Sequence, residues 1–560
     1  MSNKIDKSLW ALFYQNEAYS TSGSRIMGRQ AAGNSLLKAY AKSKYTDIGI
    51  FAKNPDHFKQ LKNDFYNITD DCLDKNLLYI PWGDPSKLSD FDGLYFPAPD
   101  ISNFAKQRYF YGHDSYSLIG ITHTTASKKA IDSLLNNLIG PVMEWDALIC
   151  TSHSVKDSLK NLYDNYQLFL NDRFGIKKFP NMNLPVIPLG VHNDDFNFTS
   201  EYKNNARKEL SIDKNDICFL FLGRISFHAK AHHIPMLIIL DKIAKKINGN
   251  KKIHLIQTGW FPNDSYEKEF KEECFKIAPS IKFHFLDGKV LESRNKSYAA
   301  SDLFISLVDN FQETFGLTPL EAMAAGLPAI VSDWDGYKDT VRDNIDGLRI
   351  PTTTLEKGDG FTYSLRHDLG VDTYDHFIGR LSQTVSIDIK NALERIMQLI
   401  EDDELRRTYS SNAKKRAQEF DWENILKKYQ ALKIELREIR LASSSSKKIF
   451  FAPPSIYDPY SFFDKYPTYK LTTKSKVKII KDLNNFSLDE FSSFFSVSFL
   501  ENLLPNVNLM KGIIEFLIDK DYVKIEEVSL LLKVDYFNIK RAIIWLAKFG
   551  YLEIKGTDNE

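Results

Sequence analysis

Short apolar runs alternate with amphipathic stretches along the first two thirds of the chain. LWALFYQ (9–15), DIGIFA (47–52), LLYIPW (77–82), DGLYFPA (92–98) and SLIGITHT (117–124) read as buried strands, followed by DALICTS (146–152) and LPVIPLGV (184–191). Segments such as RQAAGNSLLKAYAKS (29–43) carry the helical period between them. After the polar stretch HNDDFNFTSEYKNN (192–205) a second series begins. It comprises ICFLFLGRI (217–225), KIHLIQTGW (252–260), IKFHFLDG (281–288), DLFISLVD (302–309), LPAIVSD (327–333) and GLRIPT (347–352), with helical patterns at 233–247 and 318–326. Strands alternating with helices predict parallel sheets covered on both faces. The expected fold class is α/β: two tandem Rossmann-like domains facing across a cleft, with ligands beyond the carboxyl ends of the strands.

From 386 to 440 the period turns helical and no further strand is expected. LASSSSKK (441–448) reads as a flexible boundary, and the aromatic and proline-rich stretch 451–470 as an extended segment lying on another surface. The remainder shows a helix (508–519), a short extended KDYVKI, two more helices and a strand YLEIKG, an order resembling a winged helix. The expected divisions are an N-terminal Rossmann-like domain (1–195), a second Rossmann-like domain (196–385), closing crossover helices (386–440), a linker (441–474) and a small, mostly helical winged-helix-like unit (475–560).

Composition narrows the class without deciding it. At 560 residues the chain exceeds one compact core. Lys+Arg and Asp+Glu both number 73, which removes a whole-protein electrostatic case for binding nucleic acid or anionic lipid. From 470 onward the balance is again even, 13 basic against 13 acidic, so the last unit reads as a docking or self-association module and not as a reader of nucleic acid. Cys72, Cys150, Cys218 and Cys274 form no CxxC or Cys/His cluster, and reduced thiols are expected. No window approaches the roughly 18 apolar residues of a membrane span and no leader is evident, so a cytoplasmic protein is expected. Peripheral attachment at the inner membrane surface stays open.

The segment NFQETFGLTPLEAMAAGLPAIVSDWDGYKD (310–339) concentrates the chemistry. A strand delivers the chain into a loop holding Glu313 and Gly316. Thr318 reads as an N-cap, Pro319 as the first helical residue, and Gly326 with Pro328 as the stop. The free amides at such a helix start suit phosphate or sugar oxygens. Glu321 has two readings, a ligand carboxylate or the return arm of a Thr318–Glu321 capping box.

ETFGLTPLEAMAAGLP (313–328) resembles the E-x7-E signature of retaining GT-B glycosyltransferases, family 4 (group 1) in particular. AIVSDWDGYKDTVRDNIDGLRIPT is similar to the usual continuation. FLGRISFHAKAHH (221–233) resembles the family's Gly-Arg…Lys element, although Arg224 and Lys230 stand six apart where five is common. VIPLGVHNDDF (186–196) resembles the linker strand, with His192 where Asp is common, and FDWENILKKY (420–429) the crossover helix.

The resemblance implies a metal-independent hexosyltransferase without a cofactor. It would take a nucleotide-diphosphate sugar as co-substrate and a glycan, lipid-linked or small-molecule hydroxyl as acceptor, with retention. Arg224 and Lys230 would neutralise the leaving diphosphate, helped by the amides of Phe315, Gly316, Leu317 and Thr318. Glu313 would hold sugar hydroxyls, Glu321 the ribose, and Lys289 and Val290 the base through backbone groups. His123, at a strand end, would lie near the anomeric centre, and Gly23 would approach phosphate or acceptor. Arg25 and Arg29 have two readings, contacts to an anionic acceptor or, the favoured one, a solvated helix face. The alternative from another class is a catalytically weak GT-B scaffold or regulator acting through its C-terminal module.

Overall fold

The computed structural model describes residues 8–19, 28–68, 72, 74–247, 251–443, 456–480, 486–500 and 504–556. Two compact units divide the chain, 1–453 and 454–560.

Six parallel strands build the first sheet: β1 (Ala11–Tyr14), β2 (Asp47–Ala52), β3 (Asn76–Pro81), β4 (Gly93–Tyr95), β5 (Ser117–Ile121) and β6 (Ala147–Ile149). Their order is β3-β2-β1-β4-β5-β6. The second sheet holds β7 (Ile217–Leu222), β8 (Ile253–Gly259), β9 (Lys282–Asp287), β10 (Leu303–Ser306), β11 (Ala329–Ser332) and β12 (Gly347–Ile350), in the order β12-β11-β10-β7-β8-β9. Each sheet reverses direction between its first and fourth strands, the doubly wound arrangement expected. The central strands are short and nearly all apolar because helices cover both faces, while the edge strands β3 and β9 keep exposed positions such as Asn76 and Lys282. β1, β7 and β10, for example, are buried throughout.

LPVIPLGV does not form the strand expected of it. It contributes only single bridges, Cys150 to Val186 and Val191 to Asp421; its two prolines remove the amides a ladder needs. At Val191 the chain leaves the first lobe, and it returns alongside itself. The Val191 amide donates to Phe420 O (2.9 Å) and the Trp422 amide to Val191 O (3.2 Å). Gly190 is required there, because a Cβ would lie 2.4 Å from the Trp422 ring.

The Trp422–Ser443 helix, last in this unit, packs on the first lobe. Its Trp422, Ile425, Tyr429 and Leu436 join Leu9, Trp10 and Tyr95 in one core. Lys433 Nζ donates to Ser8 O (2.9 Å), and Arg440 Nη2 to Asp92 Oδ1 (2.9 Å). The helix also takes up residues 441–443, so the first residues of the expected Ser-rich boundary are helical.

A strand pair appears where none was expected. β13 (Thr352–Thr353) and β14 (Ser386–Ile387) run antiparallel and close a neck beneath residues 354–385. That excursion folds into the helices Phe361–Asp368 and Tyr374–Ser382.

In the second unit, β15 (Lys476–Ile479) lies between β16 (Val523–Lys524) and β17 (Leu552–Lys555), all antiparallel. The helices Val507–Leu517, Ile525–Leu532 and Tyr536–Lys548 close over it around Val477, Ile513, Ile525 and Ile543. The helix and strand order matches the expectation, while the central strand comes from upstream of all three helices. The stretch read as extended contains a short helix, Pro459–Phe462, N-capped by Asp458. No helix among the described residues is long and apolar enough to cross a membrane.

Candidate active site

The carboxyl edges of the two large sheets face each other. The Thr151 hydroxyl, beyond β6, donates to Thr314 O beyond β10 (3.4 Å). Ser152 Oγ donates to Asp335 Oδ1 (3.2 Å), and the His153 amide, at the start of the helix His153–Phe174, donates to Asp339 Oδ2 (2.7 Å). Loops on opposite lobes therefore share hydrogen bonds across one gorge.

Within it, the turn after β7 carries Arg224 and Lys230. Arg224 Nη2 donates to Ala229 O (2.8 Å), and the Lys230 amide to Ser226 O (2.9 Å), which shapes the turn. The Lys230 ammonium is ion-paired with Glu313, although 83 residues separate them. Burial opposes both charges, and the pairing overrides it. Lys230 is pushed up by the Glu313 charge, and Glu313 is held below the usual carboxylate range by Lys230 and the amides of Phe315 and Thr314. Arg224 lies within electrostatic reach of Glu313 and of Lys230. The sequence-predicted cations and the first acidic residue thus come together.

Phe315 is buried, and Gly316 sits at φ +85°, a left-handed position. A Cβ there would also fall 2.0 Å from the Tyr337 ring. The turn ends as the N-cap of the helix Leu317–Ala324, so the expected cap is displaced: Gly316 caps, Leu317 is the first helical residue, and Pro319 lies in the first turn. The reason is the left-handed Gly, which lets the backbone enter the helix earlier than the Thr-Pro pair alone suggests. The freed Thr318 hydroxyl is buried with no hydrogen-bond partner among the described residues.

The capping-box reading of Glu321 fails as well. Glu321 Oε2 accepts the Tyr298 hydroxyl (2.6 Å), and burial raises its carboxyl above the ordinary range against the pull of that bond and of Arg294. It belongs to a second corner of the gorge, beside the Leu291–Ala300 helix. At the head of that helix Val290 is 47% exposed, and the Lys289 amide donates to Asp287 Oδ1 (2.9 Å).

On the other lobe His123 follows β5. Its Nε2 lies 3.2 Å from Pro97 O, and burial, with the Arg29 charge, lowers its pKa to about 4. Among the described residues no hydrogen bond joins it to Arg224, Lys230 or Glu313. Its neighbour Thr124 does reach the second lobe, 3.4 Å from the Tyr374 hydroxyl. Gly23 lies outside the described residues.

The gorge also holds groups the sequence reading missed. Asp309, beyond β10, accepts the His232 amide (3.3 Å), and burial raises it to about 7. Asp335 is raised to about 7 by burial and then by the Glu313 charge, and sits at φ +42°. Tyr337 is buried beside Gly316 with its hydroxyl 3.1 Å from Ser306 Oγ. The Asp-Gly of WDGY is the one local signal that could have flagged Asp335, since this pair favours a turn with positive φ. Among the described residues no three His, Cys, Asp or Glu side chains converge as a metal-ligand group. Two cations within electrostatic reach of each other and of Glu313, three residues ahead of a helix N-cap, suit a ligand on which negative charge accumulates.

Residues 202–357, the span from before Arg224 to β13, match the family described as glycosyl transferases group 1. The matched segment lies within the second lobe. The chain is similar to an uncharacterized glycosyltransferase of Methanocaldococcus jannaschii, 25% identical over 171 residues, which are 30% of this chain and 41% of that protein. It is 25% identical to a D-inositol 3-phosphate glycosyltransferase of Geodermatophilus obscurus over 30% of this chain and 36% of that one. With alpha-monoglucosyldiacylglycerol synthase of Streptococcus pneumoniae it shares 27% identity over 37% and 42%. The matches therefore span about two fifths of these curated relatives. Among solved structures, the Anabaena protein Alr3699/HepE in complex with UDP-glucose aligns at TM-score 0.45 and 16% identity, over 78% of this chain and 100% of that one.

Proposed function

We propose that the protein is a glycosyltransferase that moves a sugar from a nucleotide-diphosphate donor to a hydroxyl acceptor, with retention. The observation that carries the reading is the meeting of Arg224, Lys230 and Glu313 at the head of the Leu317–Ala324 helix, inside the family-matched segment.

In this reading the bond from the anomeric carbon to phosphate breaks and its electron pair leaves on the diphosphate. Arg224 and Lys230 neutralise that charge, and the amides of Phe315, Gly316, Leu317 and Thr318 add partial positive charge. The Thr318 hydroxyl, without a hydrogen-bond partner among the described residues, donates to a phosphate oxygen. Glu313 takes sugar hydroxyls, with Lys230 exchanging from it to phosphate. Glu321 keeps one oxygen on Tyr298 and offers the other to the ribose, while the backbone at Lys289 and Val290 borders the base. The acceptor oxygen bonds to the same face the phosphate leaves, and its proton passes to the departing phosphate. His123, neutral near pH 7, lines the acceptor side. No metal or other cofactor is invoked. The residues 475–560, with 11 basic and 13 acidic side chains and so no basic excess, are assigned to protein contact or self-association.

The test is calorimetry and slow hydrolysis with a panel of UDP-, GDP- and ADP-sugars. One donor is expected to bind and hydrolyse, and Arg224→Ala and Glu313→Ala to lose most turnover while staying folded. Wild-type protein that neither binds nor hydrolyses any donor would overturn the reading in favour of a scaffold.

A further inference from the structure

The family match stops at residue 357, at the foot of the excursion 354–385. This excursion is well built. Asp372, 4% exposed, accepts Arg366 Nε (2.9 Å) and Arg380 Nε (3.0 Å), which ties the two helices together at their junction. His367 stacks on Phe377 with ring centroids 4.8 Å apart. Phe377 and Ile378 pack against Ala229, the residue immediately before Lys230. The excursion therefore rests on the cation-bearing turn itself.

It also touches both lobes. Asp368 is ion-paired with Lys128 on the first lobe. The Tyr374 hydroxyl donates to Gln312 Oε1 (3.3 Å), which leaves its oxygen to accept from Thr124 Oγ1 (3.4 Å) across the gorge. Gln312 Nε2 in turn donates to Ala229 O, the same carbonyl that Arg224 Nη2 uses. A continuous chain runs from Thr124 through Tyr374, Gln312 and Ala229 O to the Arg224 guanidinium.

We propose that Tyr374 is a positioning residue, which sets Arg224 for a nucleoside diphosphate through Gln312 and the Ala229 carbonyl. It ties that setting to the apposition of the first lobe at Thr124. The proposal rests on the glycosyltransferase reading, since it takes Arg224 as a phosphate contact. A tyrosine that acted only by packing would affect every ligand of the lobe alike. One that acts through Arg224 affects only ligands that reach Arg224.

The experiment is calorimetry on the full chain with UDP, GDP and ADP and with the matching monophosphates. Tyr374→Phe keeps the ring in its packed cluster and removes the hydroxyl. It is expected to weaken the bound diphosphate about five-fold, the worth of one hydrogen bond, and to leave the monophosphate unchanged. Thr124→Val and Gln312→Leu, which cut the chain at other links, are expected to reproduce that pattern. In an Arg224→Ala background Tyr374→Phe is expected to have no further effect. Wild-type diphosphate affinity in Tyr374→Phe, an equal loss on the monophosphate, or an undiminished loss in the Arg224→Ala background each overturns the proposal. If instead Arg224→Ala binds every nucleotide as the wild type does, the reading of Arg224 fails and the proposal falls with it.

Discussion

Replacing Glu313 by Gln changes one atom and removes one charge. In the folded chain that charge neutralises the Lys230 ammonium, and the two side chains are 14% and 20% exposed. Taking away one partner of a buried ion pair costs about 3–5 kcal/mol, because the other charge stays desolvated and uncompensated. The remaining exposure lets water screen part of it, so about 2–4 kcal/mol is expected for Glu313→Gln. Lys230→Met is expected to cost less, since the amides of Phe315 and Thr314 still support the carboxylate. The double substitution should then cost less than the sum of the two, with a coupling of about 1–3 kcal/mol. The pH dependence has a definite sign. The folded-state value of Lys230 is raised, so its stabilisation is complete below about pH 10 and lost as pH rises through that value. The folded-state value of Glu313 is lowered, so its share is complete above about pH 4 and lost on further acidification. The Glu313→Gln penalty should therefore be flat across neutral pH and shrink at both extremes. Urea denaturation followed by circular dichroism, run as a double-mutant cycle at several pH values, measures all of this. Additive single costs, or a Glu313→Gln protein within about 0.5 kcal/mol of wild type, would show that the pair contributes nothing in solution.

Gly316→Ala forces a left-handed residue and a clash with the Tyr337 ring; a loss of about 2–4 kcal/mol in thermal or urea unfolding is expected, with donor affinity lost as the helix start shifts. His123, lowered to about 4, should stay neutral from pH 5 to 8, and stability should fall as pH drops from about 6.5 toward 4, where the unfolded chain takes up the proton first; nitrogen-detected NMR of the imidazole reads the first and denaturation the second. Lys433 is lowered to about 8, by burial first and then by Arg437 and Arg440 against the pull of Asp92. Between about pH 8 and 10 the unfolded chain binds the extra proton, so this residue makes stability rise with pH, and Lys433→Met should abolish that rise.

The two doubly wound sheets were legible because each strand is an apolar run bounded by polar helices, and such a pattern has few solutions. The turn at Glu313 and Gly316 was legible because Gly and Pro punctuate it. What escaped was whatever depends on distance through space. The Lys230–Glu313 pair joins two loops of neighbouring strands, and no spacing rule forecasts it. The cap moved from Thr318 to Gly316 because the packing of Tyr337 admits no side chain at 316, a fact of tertiary contact. The excursion 354–385 hid because its helices are only two turns or so long and are joined through Asp372 held between two Arg, a tertiary tie that no local period announces. LPVIPLGV misled in the opposite sense, its hydrophobicity serving the crossing between lobes and not a ladder.

The return of the Trp422–Ser443 helix to the first lobe has a consequence for biosynthesis. Ser8 and Lys433, partners in the finished protein, lie 425 residues apart. At about 5–20 residues per second a ribosome takes about 20 to 85 seconds to make that interval. From the completion of β6 until the helix emerges, the nascent amino-terminal sheet lacks Trp422, Tyr429 and Leu436, so one flank of Trp10 and Tyr95 stays open to chaperones. The second sheet, contiguous in the chain from β7 to β12, is complete before that helix is made.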